Sequence, residues 1–298
     1  MKLNNLMSYL LRGGMLLVLT LFFCGNTSAQ QPHTLTGDIR VHKQFHSQFL
    51  PTDRDVLVYL PPQYKSSTRS RYPVLYLQDG QNLFDGATSF IAGQEWRVDE
   101  TVESLIAAGK TQPLIIVGIY NAGKERINEY TPSADPKYKM GGKADLYGRM
   151  LVEELKPFID HTYRTRRGAT DTGIGGSSLG GILSIYLALK YPHVLGKAAV
   201  VSPSVWFANQ HIVSFVDNLP KKRPVRLWVD IGTKEGRNPE EAQETVRGAR
   251  LLYDTLVRKG WKPGRDLKYF EAKDAEHNEA AWAARIEPIL QFLFPRGM

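Results

Sequence analysis

Cysteine is almost absent from this chain of 298 residues: Cys24 is the only one, and it lies in an apolar N-terminal stretch. If that stretch is removed, the remaining chain has no disulfide, no thiolate metal site and no cysteine nucleophile. Internal repeats and Pro-, Gly- or Ser-rich linkers are lacking as well. With 42% apolar residues, the sequence predicts one domain that is stabilised by its core alone.

Long hydrophobic runs are missing too. The N-terminal run, residues 15–23, is too short for a comfortable membrane span. Lys2 and Arg12 lie before it and small residues at 27–29 follow, which is the order of a secretory signal peptide. We therefore expect residues 1–29 to be removed. The mature domain at 30–298 would be periplasmic or secreted, with no stable membrane anchor.

Two alternatives to this cleavage remain open. The leader could stay attached as an uncleaved anchor. Cys24 could instead be a lipoprotein acylation site, although Phe22 and Phe23 precede it where that signal requires small residues.

Long blocks of one charge sign are also lacking. The formal net charge is +8, to which Lys2 and Arg12 contribute two. The densest basic clusters, at 164–167 and 221–223, are short and contain no aromatic residues, so we expect no nucleic-acid partner. Scattered surface charge is the simplest interpretation, and an anionic polymer or acidic substrate is the alternative.

Short apolar runs alternate with helical patterns along the rest of the chain. Continuous apolar runs are typical of strands buried on both faces of a mainly parallel sheet, so an α/β fold with helices on both faces is predicted. Residues 30–40 are expected to be an irregular lead-in. The predicted strands are 56–60, 73–77, 114–119, 197–201, 226–231 and 268–270, and helices are predicted at 179–190, 240–259 and 280–293.

A candidate nucleophile lies just before the first of these helices. The pentapeptide at 176–180, Gly-Ser-Ser-Leu-Gly, has the G-x-S-x-G pattern. A nucleophile on a sharp strand-to-helix turn needs small residues two before and two after it, which selects Ser178 over Ser177. The pentapeptide alone could also form an ordinary turn. Its place between a strand and a helix favours the nucleophile.

A serine hydroxyl needs a base, and one of the seven histidines stands where a base is expected. His277 lies in the loop between the last predicted strand and the last helix, in the chain order Ser…acid…His. The acid is expected from the loop after the preceding strand, where Glu235 is the candidate. Asp230, which lies inside that predicted strand, is the alternative. Such a carboxylate would hold the imidazole tautomer and stabilise the imidazolium.

The oxyanion hole requires two backbone donors. The first is the amide of Leu179, directly after the nucleophile. The second is expected in the loop after the strand at 73–77, where Gly80 allows close approach of the backbone and the Gln81 amide is the candidate donor.

With these residues assembled, the chain resembles the esterase D-like branch of the α/β-hydrolases. This branch includes feruloyl and acetylxylan esterases, siderophore esterases, S-formylglutathione hydrolases and mycolyltransferases. The resemblance runs from about Arg54 to Phe294, and it rests on the motifs at 79–85, 129–132, 175–181, 202–206, 232–235 and 276–278.

The resemblance implies an α/β-hydrolase fold, the same triad, the same early-loop donor, and neither a cofactor nor a metal. It also implies that Arg126 and Glu129 border the acyl or alcohol pocket, with a structural ion pair as the alternative.

We therefore predict an exported serine esterase that forms an acyl-serine intermediate, with a small-molecule or oligosaccharide ester as its partner and acylated carbohydrate as a candidate substrate. The alternatives are a siderophore trilactone esterase, an acyltransferase on the same fold, and a binding protein on an inactive hydrolase scaffold.

Overall fold

One large sheet organises the computed structural model, which describes residues 32–296, so the predicted signal peptide lies outside the described residues. Its strands are numbered along the chain, and neighbouring strands in the sheet occur in the order β1-β2-β4-β3-β7-β8-β9-β10. They are β1 (Asp38–Phe45), β2 (Arg54–Leu60), β3 (Val74–Gln78), β4 (Ile115–Ile119), β7 (Thr172–Ser177), β8 (Lys197–Val201), β9 (Arg226–Gly232) and β10 (Leu267–Ala272). A separate hairpin pairs β5 (Ala134–Asp135) with β6 (Met140–Gly141).

Strand direction decides where the loops lie. Strands β3, β4, β7, β8, β9 and β10 are parallel, whereas β2 is antiparallel to both of its neighbours, β1 and β4. The connections that follow the parallel strands therefore meet at the carboxyl edge of the sheet, and those that precede them meet at the amino edge. In sheets of this kind, binding and catalytic sites form at the carboxyl edge.

Helices cover both faces of the sheet, as the continuous apolar strands require. Within residues 32–296, no helix is long and apolar enough to cross a membrane. Helices α1 (Val98–Ala107) and α8 (Glu279–Leu293) pack on one face, and the other face carries α2 (Arg126–Tyr130), α3 (Ala144–Arg149), α4 (Lys156–Thr162), α5 (Leu179–Lys190), α6 (Phe207–Asp217) and α7 (Pro239–Arg258), with a π-helix at Met150–Leu155 between α3 and α4.

This architecture confirms the predicted α/β-hydrolase fold. The lead-in is shorter than expected, because β1 already begins at Asp38. Its sequence, DIRVHKQF, is polar, and its side chains are exposed or half-buried. Such a composition suits an edge strand that pairs on one side only, and it carries none of the apolar signal of a buried strand.

A buried ion pair joins β2 to α2. The Arg54 guanidinium donates to both carboxylate oxygens of Glu129, at 2.9 and 3.1 Å. Both side chains are fully buried, so water does not reach either charge. Loss of one partner would leave an uncompensated charge inside the protein.

We expect Arg54→Ala to lower the free energy of unfolding by about 3–5 kcal/mol, because Glu129 would remain buried without its partner. The control is Arg40→Ala, which breaks an exposed pair with Asp38 and should cost less than about 1 kcal/mol. Chemical denaturation of both variants measures the difference. Equal losses would show that burial of the Arg54 pair does not matter.

Candidate active site

Ser178 lies on the turn between β7 and α5, at the carboxyl edge of the sheet. Its φ of 60° and ψ of −122° are strained for a residue with a side chain. A Cβ atom on Gly176 would come within 3.1 Å of the Gly180 carbonyl carbon. The turn therefore leaves little room for a side chain at this position, in agreement with the steric argument that selects Ser178.

The hydroxyl of Ser178 has a neighbour that the sequence argument did not use. Its Oγ lies 3.0 Å from Oγ of Ser204, and the Ser204 amide donates to the Ser178 carbonyl at 3.1 Å. Ser204 belongs to the segment directly after β8, and its position at a strand's carboxyl end is the signal that could have found it. Two hydrogen bonds therefore link Ser204 to Ser178 within the candidate site.

His277 and Glu235 form a hydrogen-bonded pair beside Ser178. Nδ1 of His277 lies 2.8 Å from Oε2 of Glu235. The Glu235 side chain is 1% exposed and that of His277 is 38% exposed, so a buried carboxylate orients an accessible imidazole. Nε2 is then the ring nitrogen that remains for a proton. Among residues 32–296, no hydrogen bond joins His277 to Ser178, and such contacts often tighten only when substrate binds.

Two loops carry this pair and are bonded to each other. The Lys234 amide donates to the Ala275 carbonyl at 2.9 Å, and the Asp274 amide donates to Oγ1 of Thr233 at 2.8 Å. These bonds fix the loop after β9 against the loop after β10. Hydrogen bonds between the two loops therefore hold the acid and the base next to each other.

A buried network holds the other carboxylate oxygen of Glu235. Oε1 accepts hydrogen bonds from Oγ of Ser202 at 2.5 Å and from the Gly232 amide at 2.6 Å. Oγ of Ser202 in turn accepts from Nε1 of Trp282 and from Nη2 of Arg285, each at 3.0 Å. The Trp282 ring also meets the His277 ring edge-on, with centroids 5.0 Å apart. Helix α8 thus supports both members of the pair.

Asp230, the alternative acid, has other partners. Its carboxylate accepts from Nη1 of Arg285 at 2.9 Å and from Nε1 of Trp228 at 2.7 Å, and it is fully buried. Burial raises the pKa of Asp230, and the Arg285 charge opposes that shift. Of the two candidate acids, Glu235 is the one that contacts His277.

The predicted oxyanion loop follows β3, which is the neighbour of β7 in the sheet. Asp79 has a left-handed backbone with φ of 56°, and a Cβ atom on Gly80 would lie 2.7 Å from the Gly118 carbonyl carbon. Close packing of this loop on β4 therefore requires glycine. Among the described residues, the amides of Gln81 and Leu179 donate no hydrogen bond, so both remain available for an oxyanion.

Arg126 supports the oxyanion loop. It donates to both oxygens of Asp79 at 2.7 Å, and Nδ2 of Asn121 reaches the same carboxylate at 2.7 Å. Burial tends to lower the pKa of Arg126, but the Asp79 carboxylate more than offsets it and keeps that pKa above its usual value. Neither Arg126 nor Glu129 is among the residues that line the cavity at Ser178. Their contacts fit the structural alternative, as two separate ion pairs with Asp79 and Arg54.

Ser178 and His277 line one cavity of about 600 Å³. Trp206 forms an apolar part of its wall and is half exposed, while Lys234 and Arg237 add positive charge. Within the described residues, no group of three or more His, Cys, Asp or Glu side chains is arranged to hold a metal ion.

These features define an α/β-hydrolase with a candidate serine site at the carboxyl edge of its sheet. Solved structures have the same fold: the BES protein from Bacillus cereus has a TM-score of 0.68 at 21% identity, covering 90% of this chain and 99% of that one. An IroE-like serine hydrolase from Shewanella oneidensis also has a TM-score of 0.68, at 20% identity, covering 86% and 80%.

The chain belongs to the family described as "Putative esterase", whose pattern matches residues 47–293. YbbA of Bacillus subtilis, an uncharacterized protein, is 26% identical over 88% of this chain and 98% of its own length. The endo-1,4-beta-xylanase/feruloyl esterase of Xylanibacter ruminicola is 26% identical over 80% of this chain and 29% of its own. The ferri-bacillibactin esterase of Bacillus subtilis is 27% identical, covering 62% and 67%. Family and relatives together support ester hydrolysis as the activity.

We expect Ser202→Ala to lower kcat/KM on an ester substrate by up to about a hundredfold. The Glu235 carboxylate loses the hydrogen bond that holds it in position against His277. The free energy of unfolding should also fall by about 1–3 kcal/mol, because the donors on Trp282 and Arg285 lose their acceptor.

The control for this variant is Thr255→Val, which removes an equally buried hydroxyl from α7. It should leave kcat/KM unchanged. If Ser202→Ala lowers stability without lowering kcat/KM, the network does not position the acid and base.

Proposed function

We propose that this protein is an exported serine esterase, with Ser178 as nucleophile, His277 as base and Glu235 as the acid that orients the base. The observation that carries the proposal is the 2.8 Å hydrogen bond between His277 and the buried Glu235, in the cavity that Ser178 lines. A nucleophile on a strained turn, a base and an orienting carboxylate are the three parts that acyl transfer requires.

The reaction has two halves. Nε2 of His277 takes the proton of Ser178 Oγ as that oxygen bonds to the acyl carbon, and the alcohol leaves with the proton from His277. Water then attacks the acyl-serine, giving one proton to His277, and Ser178 Oγ recovers a proton as the carboxylic acid is released. In both halves the amides of Leu179 and Gln81 donate to the carbonyl oxygen as it gains negative charge.

Trp206 in the cavity wall, with Tyr138 beside it but outside the lining, supports an acyl group that carries a ring. Trp206 is 48% exposed, and its ring lies 6.3 Å from that of Tyr138, which is similarly exposed. Two exposed aromatic rings can pack against a planar substrate. We therefore place acylated carbohydrate with an aromatic acid first. A siderophore trilactone is the second candidate, and it is supported by the similarity to the ferri-bacillibactin esterase of Bacillus subtilis.

Hydrolysis of a feruloyl ester, acetylated xylan and a catecholate trilactone tests this proposal. We expect the highest kcat/KM on the feruloyl ester, and Ser178→Ala should lower it by at least roughly 10⁴-fold. Ser214→Ala, an exposed serine on α6, is the control and should match the wild type. Equal rates for wild type and Ser178→Ala would end the serine mechanism, and preference for the trilactone would replace the carbohydrate substrate. Addition of an alcohol acceptor separates hydrolysis from acyl transfer.

Export is the second part of the proposal, and it is supported by the order of charged, apolar and small residues in 1–29. We expect protein recovered from outside the cytoplasm to begin at Gln30. N-terminal sequencing checks this. A chain that retains Met1 would contradict removal of the leader.

A further inference from the structure

Positive charge is concentrated at the amino edge of the sheet, opposite the candidate active site. Six segments lead into the parallel strands, and they carry thirteen basic and two acidic side chains, a net charge of +11. From residue 30 onward the chain carries only +6, since Lys2 and Arg12 account for two of its eight excess charges. The segments, with their basic residues, are 61–73 with three, 108–114 with one, 163–171 with three, 191–196 with none, 218–225 with three and 259–266 with three.

The carboxyl edge shows no such excess. The five segments that follow β3, β4, β8, β9 and β10 are 79–97, 120–143, 202–206, 233–238 and 273–278, and together they carry nine basic and nine acidic side chains. The asymmetry is therefore a property of one edge, and a uniformly basic chain would not produce it.

The six segments form one continuous surface. We call this surface, together with Lys197 and Arg226 at the start of β8 and β9, the basic face. Nη1 of Arg166 also donates to Oε1 of Gln112 at 3.2 Å. Backbone hydrogen bonds link the other segments, from the Tyr72 amide to the Arg164 carbonyl at 2.9 Å, from Gly196 to Ala169 at 2.9 Å, from Arg226 to Gly196 at 2.9 Å and from Leu227 to Asp266 at 2.8 Å.

Most of this charge is not neutralised within the protein. Carboxylates lie within 4 Å of four of the thirteen basic side chains, namely Lys65, Lys110, Arg166 and Lys222. In the part of the chain that the structure describes, the other nine have no such partner. Six of these nine are also exposed, so their charges are available to a partner.

Two like charges lie side by side at the centre of the basic face. Lys197 and Arg226 are register partners on the parallel strands β8 and β9, an arrangement that destabilises a sheet. Together with Lys222 they line a groove of about 340 Å³. Nε of Arg226 is buried and has no hydrogen-bond partner among the described residues. Lys197 donates to the Thr170 carbonyl, and Asp266, which also lines the groove, pairs with Lys222. Burial lowers the pKa of both Lys197 and Arg226, so an anion near these two side chains would stabilise their charged forms.

We propose that the basic face docks on the phosphate headgroups of an anionic phospholipid bilayer. The charges are spread over the ends of six neighbouring strands, which fits a broad surface of repeating anions. A single strand of nucleic acid would instead require a groove with interleaved aromatic side chains. Because Ser178 lies at the opposite edge of the sheet, docking leaves the candidate active site facing away from the bilayer.

Vesicle co-sedimentation of the purified protein tests the proposal. We expect binding to vesicles of about 40 mole per cent phosphatidylglycerol in phosphatidylcholine, no binding to phosphatidylcholine alone, and release when salt is raised. The variant R167Q/K221Q/R265Q removes three exposed charges of the basic face. One basic residue near an anionic surface contributes roughly a fivefold factor in affinity, so the variant should bind about a hundredfold more weakly.

The matched control is K124Q/K137Q/K139Q, which removes three exposed basic residues from the carboxyl-edge segment 120–143, none of which has a carboxylate partner within residues 32–296. It should bind nearly as well as the wild type, and thermal unfolding should show that both variants are folded. Equal losses in the two variants would mean that net charge alone attracts the protein, and the basic face would be rejected. Vesicle binding that salt does not weaken would mean that the apolar leader, residues 1–29, inserts into the bilayer, and this would overturn the proposal. Retention on a DNA column without vesicle binding would mean that the basic face binds an anionic polymer, and this would overturn it as well.

Discussion

The strained backbone of Ser178 is the constraint on which the candidate site depends. A residue held at φ of 60° costs on the order of 1–3 kcal/mol, and such strain persists only where the surroundings determine it. The Ser178 amide donates to the Val201 carbonyl at 3.0 Å, and its own carbonyl accepts from Gly181 and Ser204, each at 3.1 Å. Buried β7 and α5 on either side hold the turn in place. The hydroxyl therefore stands beyond the sheet edge, where the loops after β3, β8, β9 and β10 converge.

Side chains of α8, on the face of the sheet opposite to α5, hold the acid and the base in position. Helix α8 supplies Trp282, which packs against His277, and Arg285, which reaches Ser202 and Asp230. The Ser202 hydroxyl accepts from both of these side chains and donates to Glu235, so it links α8 to the acid. The helix that follows the histidine loop thus also determines the position of the acid, so base and acid are linked through the protein core as well as through their direct hydrogen bond.

Strand β7, with the sequence TGIGGS, contains one large apolar residue and is missing from the predicted strands. The sequence did predict the other strands that are buried on both faces and the residues that follow them, because apolar runs and the rule for strand ends are local signals. It therefore identified Ser178, Glu235 and His277 as neighbours, whereas polar β1 escaped because an edge strand carries no such signal. Contacts between distant residues could not be predicted. Arg285 is 83 residues from Ser202, and Arg54 is 75 from Glu129. The basic face was equally hidden, since five separate segments contribute its charges and each looks ordinary alone.

The central claim is that Ser178 is an activated nucleophile, and covalent labelling tests it most directly. An alkyl fluorophosphonate reacts with serines that a neighbouring base activates, and peptide mass mapping locates the adduct. The account predicts one adduct per chain, on Ser178, formed much more slowly when His277 is replaced by Ala. An adduct on Ser204, or labelling of Ser178 at the same rate without His277, would contradict it.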